Sequence, residues 1–583
     1  MERTILRQLR LMPLILLTNL ATSPIKAKEG QTPSLILNNM EDEIADNIRN
    51  YVDLSEYNCD LPEWRLKRLE KVTKKNTTKA LRALGYYQPV IKLKTDHKKN
   101  CWKLSLKIKP GQQIRLRNVN ISINGELKNN QAYQTFRNNF PLKKGHGLKH
   151  SDYEKTKLGI QTLASRFGFF EGQFSRHQLS IDPVKNIADI YLTFKSGPRY
   201  HIGKLTIEQS QFNNTFIHKY LKIHENQAYD SQNLTKQQQV FNDSGYFSSV
   251  EITATREPNV DHKVPINIRL TERKKNAYQV GVGASTNEGP RTRFSYENRW
   301  ANRRGHHYSV DTRWSPVVSE ASLNYTIPVG DSGKHRWELG FGYRTEKTDT
   351  TRATAVKSGA KLIKRLSNGW NRTLFLDALQ EKFTTGNDAD KVLLLMPGIG
   401  LSKSKRDRLK LPRKGWRLNL TIKTAFEDLL SDINLAQLAG SAKMIRPLGK
   451  GRVLANVSAG FTEVNQFSKL PVSLRFYAGG DNSVRGFGYK TLGPKNTDNE
   501  VTGGKHLLTG SLEYEYPFKQ NWGVAIFIDT GNAFNDISDY TLYTGIGFGL
   551  RYHSPIGPVR LDVAQDIEGD ESIRLHLSMG PDL

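Results

Sequence analysis

From residue 275 to its C-terminus the chain repeats segments of about ten residues in which apolar and polar side chains alternate. In the first segment Tyr278, Val280, Val282 and Ala284 share one face, opposite Gln279, Gly281 and Gly283. In the last, Ile573, Leu575, Leu577 and Met579 oppose Ser572, Arg574, His576 and Ser578. Between them Leu418, Leu420 and Ile422, and later Val524, Ile526 and Ile528, keep the same step of two. Such a step marks a strand, because successive side chains of an extended backbone point to opposite faces. A run of two-faced strands fits a transmembrane β-barrel, apolar toward lipid and polar toward the lumen. A charge on the lipid face costs ~2–4 kcal/mol at mid-bilayer, while the lumen tolerates it. A soluble sandwich or propeller is the competing fold, but no blade repeat is present. Residues 275–583 suffice for about 16 strands with their loops.

The remaining composition agrees with export. Arg3, Arg7 and Arg10 precede an apolar core from Leu11 to Leu17, as in a secretory signal peptide over residues 1–27. That core is too short to span a bilayer as a helix, and no later run reaches ~18 apolar residues. A barrel must lack such runs to pass the inner membrane. The net charge of +29 is spread over the whole chain. For an exported chain it points to anionic outer-membrane lipids, with no nucleic acid expected as a partner. No Gly-x-Ser-x-Gly elbow or zinc-type His motif is present, so an enzyme, a cofactor and a metal are not expected. Cys59 and Cys101 are the two cysteines. In an oxidising compartment a disulfide is the expected state, and free thiols are the alternative. The closed loop would stabilise by roughly 4 kcal/mol in the chain-entropy picture.

Residues 28–274 carry a weak repeat. Leu84-Gly85-Tyr86-Tyr87, Phe167-Gly168-Phe169-Phe170 and Ser244-Gly245-Tyr246-Phe247 recur roughly 80 residues apart. Each follows a helical pattern, and glycine there fits the left-handed position after a helix end. Alternating strands close the units, with Trp102, Leu104, Leu106 and Ile108 in the first, Ile190, Leu192 and Phe194 in the second, and Ile266, Ile268 and Leu270 in the third. The expected order in each is β, α, α, β, β. The expected domains are 28–112, 113–198 and 199–274, followed by the barrel at 275–583. The fold class is thus α+β modules ahead of an all-β barrel.

A Gly-rich segment from Gly479 to Gly504 carries Asp481-Asn482-Ser483-Val484-Arg485-Gly486-Phe487. In the strand Ser511–Tyr516, Leu512, Tyr514 and Tyr516 face one way, which leaves Glu513 and Glu515 facing the other. In the next strand the apolar set Val524, Ile526 and Ile528 puts Phe527 and Asp529 on the side of Glu513. If the apolar sets face lipid, Glu513 and Asp529 are enclosed in the lumen and need a cation. Arg485, on a loop long enough to fold inward, is a bidentate donor suited to both. Gly281 and Gly283 remove side-chain packing from the first strand, so its pairing with the last strand is expected to be weak.

Three phrases, Ser483-Val484-Arg485-Gly486-Phe487, Phe527-Ile528-Asp529-Thr530-Gly531-Asn532 and Ser554-Pro555-Ile556-Gly557-Pro558-Val559-Arg560-Leu561-Asp562, resemble the BamA/TamA superfamily of outer-membrane assembly barrels. The N-terminal units resemble its polypeptide-transport-associated (POTRA) domains. Ala83-Leu84-Gly85-Tyr86-Tyr87-Gln88-Pro89, Leu474-Arg475-Phe476-Tyr477-Ala478-Gly479-Gly480-Asp481 and the ending Gly580-Pro581-Asp582-Leu583 are similar to the TamA branch. Three units are fewer than the five of BamA and more than the two of two-partner secretion pores, the rival reading. The resemblance implies an outer-membrane location with periplasmic POTRA domains. It also implies a role in inserting or exporting β-barrel proteins and autotransporters, and a TamB-like partner anchored in the inner membrane. It further implies that Val484, Arg485, Gly486 and Phe487 pack inside the barrel, with Arg485 against Glu513 and Asp529. The implied route is a lateral seam made by Tyr278, Val280, Gly281, Val282 and Gly283 with Ile573, Leu575 and Leu577.

Overall fold

The computed structural model describes residues 32–580 apart from 39, 99–100, 210, 257–260, 331–333, 386–387, 409–410, 539, 555–556 and 569–572. The signal segment, Ser572 and the last three residues lie outside the described residues.

Three small α+β modules come first. The first contains β1 (Ser34–Leu37), α1 (Asp42–Tyr51), α2 (Glu63–Ala83), β2 (Val90–Lys98) and β3 (Cys101–Lys109). The second contains β4 (Arg115–Asn124), α3 (Gln131–Asn138), α4 (His150–Arg166), β5 (Gln173–Asp182) and β6 (Ile187–Lys195). The third contains β7 (His201–Glu208), α5 (Asn214–Tyr220), α6 (Ser231–Asp243), β8 (Phe247–Ala254) and β9 (Lys263–Glu272). In each sheet the last strand takes the centre, parallel to the first and antiparallel to the other. That central strand buries one face of its alternation, Trp102, Leu104, Leu106 and Ile108 in the first module, against Leu66, Leu69 and Leu81 of α2. Cys59 and Cys101 are joined as a disulfide that closes the loop between α1 and the sheet.

The glycine repeat ends a helix in each module. Gly85, Gly168 and Gly245 have φ of +87°, +82° and +82°. The Tyr86 N–H then reaches back to Leu81 O at 2.9 Å, and the Phe169 N–H reaches Ala164 O at 2.9 Å. Gly85 is also a docking point. Gly85 O accepts from the Ile114 N–H at the start of the second module. A Cβ at Gly85 would stand 2.3 Å from Leu148 O.

The first two modules form one compact unit, and the third module forms another with the barrel. Sixteen strands, from β10 (Asn276–Ser285) to β25 (Arg574–Met579), lie in one sheet in strict chain order. Strand β22 (Trp522–Phe534) shows the alternation: Ile526 is 64% exposed, and its neighbour Phe527 is 5% exposed. The outward side is rich in exposed Leu, Ile, Val and aromatic side chains, as a lipid-facing wall requires. The third module sits on the turn between β11 (Gly289–Asn298) and β12 (His307–Trp314). There the Tyr246 hydroxyl donates to Gly305 O at 2.6 Å, and the Asn213 N–H donates to Arg303 O at 3.0 Å. Burial pushes the Tyr246 hydroxyl well above the usual phenol range, so it stays a donor. This contact marks the module end of the barrel; the β10–β11 turn is at the other end.

The lumen is not polar all round. Between β20 (Gly451–Val464) and β21 (His506–Lys519) the chain folds inward from residue 465, earlier than the glycine-rich stretch alone suggests. Its Leu470, Val472 and Leu474 pack on lumen-facing Leu379 and Phe383 of β16 (Asn371–Thr385) and on Val392, Leu394 and Met396 of β17 (Asp388–Arg406). The burial of those wall residues is explained by the loop that covers them.

One test concerns the Cys59–Cys101 bond. Unreduced protein should resist thiol labelling under denaturing conditions and take up two labels after reduction; full labelling without reductant would refute the bond.

Candidate functional site

The site lies where the inward loop meets β21, β22, β23 (Tyr543–Ser554) and β24 (Gly557–Asp566). Two adjacent glycines with positive φ, Gly479 and Gly480, turn the loop sharply, and the Gly480 N–H lies within bonding distance of both Val484 O and Phe487 O. Arg485 is thereby delivered to the wall, where it is 6% exposed. Its Nε donates to Asp529 Oδ2 at 2.7 Å and its Nη2 to Asp529 Oδ1 at 3.0 Å, a bidentate fork. Nη1 donates to Glu513 Oε2 at 2.8 Å and to Asp562 Oδ2 at 3.0 Å. The backbone N–H of Arg485 adds a bond to Asp529 Oδ2 at 3.1 Å. The guanidinium lies 3.4 Å above the centre of the Phe527 ring.

Sequence parity reached only part of this network. Arg551 of β23 is fully buried and bonds Glu513 Oε1 through Nε at 3.1 Å, while its Nη1 pairs with Asp562. Three carboxylates and two guanidiniums therefore replace the expected arrangement of one arginine and two carboxylates. Glu515, also inward, is taken by Arg452 at 2.7 Å and His553 at 2.8 Å, away from the loop. A second buried loop arginine, Arg475, donates to the carbonyls of Leu470, Ser468 and Thr502 at 2.8, 2.9 and 3.1 Å. It ties the start of the loop to its return segment.

Room for the loop comes from β23, whose inward positions Gly545, Gly547 and Gly549 lack side chains. A Cβ at Gly545 would stand 1.8 Å from Arg485 O, and one at Gly549 would stand 1.8 Å from Asp562 Oδ1. Gly486, with φ of +98°, lies against the backbone of Gln565 and Asp566. Val484 is fully buried, and Phe487 meets the Tyr543 ring edge-on at 5.8 Å.

The two ends of the sheet are only loosely joined. The sheet order runs from β10 to β25 without closing into a ladder. The Thr286 N–H donates to Leu577 O at 3.4 Å, and the Leu577 N–H donates to Thr286 Oγ1 at 3.3 Å. Arg291 reaches Met579 O at 3.5 Å. All of these bonds sit near the β10–β11 turn. Thr286 stands opposite Leu577, so antiparallel continuation carries Val280 past Gly580. Tyr278, Val280 and Val282 are exposed on the outer face, as are Ile573 and Leu575. Gly281 and Gly283 have ordinary clearance to Arg293 and Arg291, so no close approach demands them. β25 has six residues and β10 has ten.

A string of POTRA-like modules ahead of a sixteen-stranded barrel, with an arginine loop bound in the lumen and an unsealed seam, defines an outer-membrane transport or assembly barrel. Profile comparison agrees. The Omp85 superfamily domain matches residues 249–582, a TamA-type first POTRA domain matches 36–110, and the POTRA-type "surface antigen variable number repeat" matches 200–273. The chain belongs to the Omp85 superfamily, a family of outer-membrane transport proteins rather than enzymes; its first and third modules match POTRA domains, and the second shares their fold. It is 22% identical over 441 residues to the outer membrane protein assembly factor BamA of Nitratidesulfovibrio vulgaris, covering 70% of this chain and 54% of that protein. It is 20% identical over 433 residues to BamA of Neisseria meningitidis serogroup B, covering 66% and 53%. The chain thus spans about half the length of these curated relatives. The structure of BamA from Haemophilus ducreyi lacking POTRA domains 1–3 superposes with a TM-score of 0.68 at 16% identity, covering 79% of this chain and 98% of that one, and shares the fold.

Arg485→Ala should release the loop, since breaking a buried pair costs on the order of 3–5 kcal/mol. Arg485→Lys should rescue only in part, because an ammonium has three donors and no planar fork. Gly545→Ala should mimic the arginine loss without touching a charge. Protease cleavage between residues 465 and 505 and heat-modifiable gel migration would read both. A Gly545→Ala protein with a protected loop would contradict the packing described here.

Proposed function

We propose that this protein helps insert or export outer-membrane β-barrel proteins and autotransporters, together with a TamB-like partner anchored in the inner membrane, by opening the seam between β10 and β25. The unladdered edge of β10 carries the reading. Among the described residues, the part of β10 nearest the third POTRA domain faces no partner strand, although its backbone N–H and C=O groups alternate along that edge. Such an edge templates strand addition. It opens toward the end where the third POTRA domain stands, which is the side from which a periplasmic client arrives. The work needs no bound nucleotide. Client strands exchange water or chaperone contacts for ladder bonds and lipid contacts, and the free energy of their own folding drives the step.

The third POTRA domain, through Tyr246 and Asn213, holds the β11–β12 turn two strands from the seam. Its loss should impair client assembly even where the barrel still inserts. Loss of the first domain should weaken partner docking more than barrel folding.

Deleting the gene should deplete a defined set of β-barrel proteins from the outer membrane. Cysteines at Thr286 and Leu577, oxidised to lock the seam, should lower client assembly at least tenfold, and reduction should restore it. Full assembly with the crosslink verified would eliminate the lateral route.

A further inference from the structure

The tip of the lumen loop touches both ends of the sheet at once. On the first-strand side, Thr286 Oγ1 donates to Asp481 Oδ1 at 2.6 Å, and the Asp481 N–H donates to Asn287 Oδ1 at 3.2 Å. On the last-strand side, His576 Nδ1 meets the same Asp481 Oδ1 at 2.8 Å, and the Gly486 N–H donates to His576 Nε2 at 3.1 Å. These partners assign the tautomer: Nε2 accepts, so Nδ1 carries the proton and donates to the carboxylate. The Asp481 and His576 side chains are 2% and 5% exposed. A Cβ at Gly480 would stand 2.8 Å from Asn287 Oδ1, so the loop backbone lies directly on the β10–β11 turn.

Thr286 follows the first strand of the sheet and His576 belongs to the last, with the whole barrel wall between them in sequence. One loop carboxylate oxygen is a partner common to both. It sits beside the few direct seam bonds, those of Thr286 with Leu577. Bonds to a carboxylate are the stronger class of hydrogen bond, so the bridge outweighs the neutral contacts it flanks. Four residues after Asp481, Arg485 fixes the same loop to β21, β22 and β24. Moving the loop away would therefore break the Thr286 and His576 contacts together.

We propose that Asp481, His576 and Thr286 form a clasp that holds the outer end of the seam shut and makes its release depend on the position of the lumen loop. This rests on the lateral-seam reading above and adds positioning residues to it. The clasp needs no ladder. It closes the end of the seam farthest from the third POTRA domain and leaves the near end as the free edge.

The test is hydrogen exchange on the full-length protein in lipid nanodiscs, with client assembly measured separately. Asp481→Ala and Thr286→Val should each speed amide exchange in residues 574–579 at least tenfold. Exchange around Glu513 and Asp529 should stay at the wild-type rate, because Arg485 keeps its partners. Asp481→Asn retains an acceptor oxygen and should fall between wild type and Asp481→Ala. Heat-modifiable migration verifies that each variant is folded. Unchanged exchange at 574–579, or an equal rise over the whole barrel, would overturn the clasp. Faster seam exchange with full client assembly would keep the clasp and remove the lateral-seam function. Lost assembly with unchanged exchange would remove the clasp alone.

Discussion

The bonding of Arg485 in the lumen is the interaction on which the rest of the barrel's C-terminal half depends. Glu513, Asp529 and Asp562 come from three different strands and point into one enclosed space. Left together without cations they would repel one another, and a guanidinium buried without them would be costlier still. Each half thus makes the other tolerable. The loop cannot dock before β21, β22 and β24 are in place, and those strands are not at ease until it does. Arg551 supplies the second cation from within the wall, so the network is anchored partly in the sheet and partly in the loop.

Much of the barrel was legible because lipid imposes a strict period of two on the outer face, and parity then fixed the inward side of Glu513 and Asp529. Asp562 had the same signal, since Val559, Leu561 and Val563 set the outward phase around it. Arg551 was harder to find. The inward positions before it are glycines, which leave no polar alternation to count, and their purpose appears only once the loop lies against them. The apolar lumen patch was hidden for the opposite reason. Val392-Leu393-Leu394-Leu395-Met396 is apolar on both faces, one toward lipid and one toward the loop, and a continuous apolar run has no phase to read. The weak seam was expected from two glycines, whose missing side chains show in the sequence, whereas the register that brings Thr286 opposite Leu577 does not.

In the N-terminal modules the glycine repeat was readable as a helix stop. Its second use was not, because it depends on the neighbouring module. Gly85 and Gly168 present bare carbonyls that the following segment caps, Ile114 in one case and Tyr200 in the other. At Gly85 and Gly168 one residue type thus ends a helix and offers its carbonyl to the segment that follows.

The register of the seam also gives the barrel a direction. With Thr286 opposite Leu577, antiparallel continuation sets Met579 opposite Ala284, and the stretch of β10 from Asn276 to Gly283 overhangs the described end of β25. A guest that pairs antiparallel with that overhang must run the same way as β25, with its C-terminal end toward the third POTRA domain. A guest of opposite polarity would have to pair in parallel, with slanted and slightly weaker bonds. On the proposed lateral route the edge would discriminate by chain direction before any side chain is read, and register would be copied from the first strand. The barrel would then act as a ruler with one fixed end, from which the growing sheet is measured.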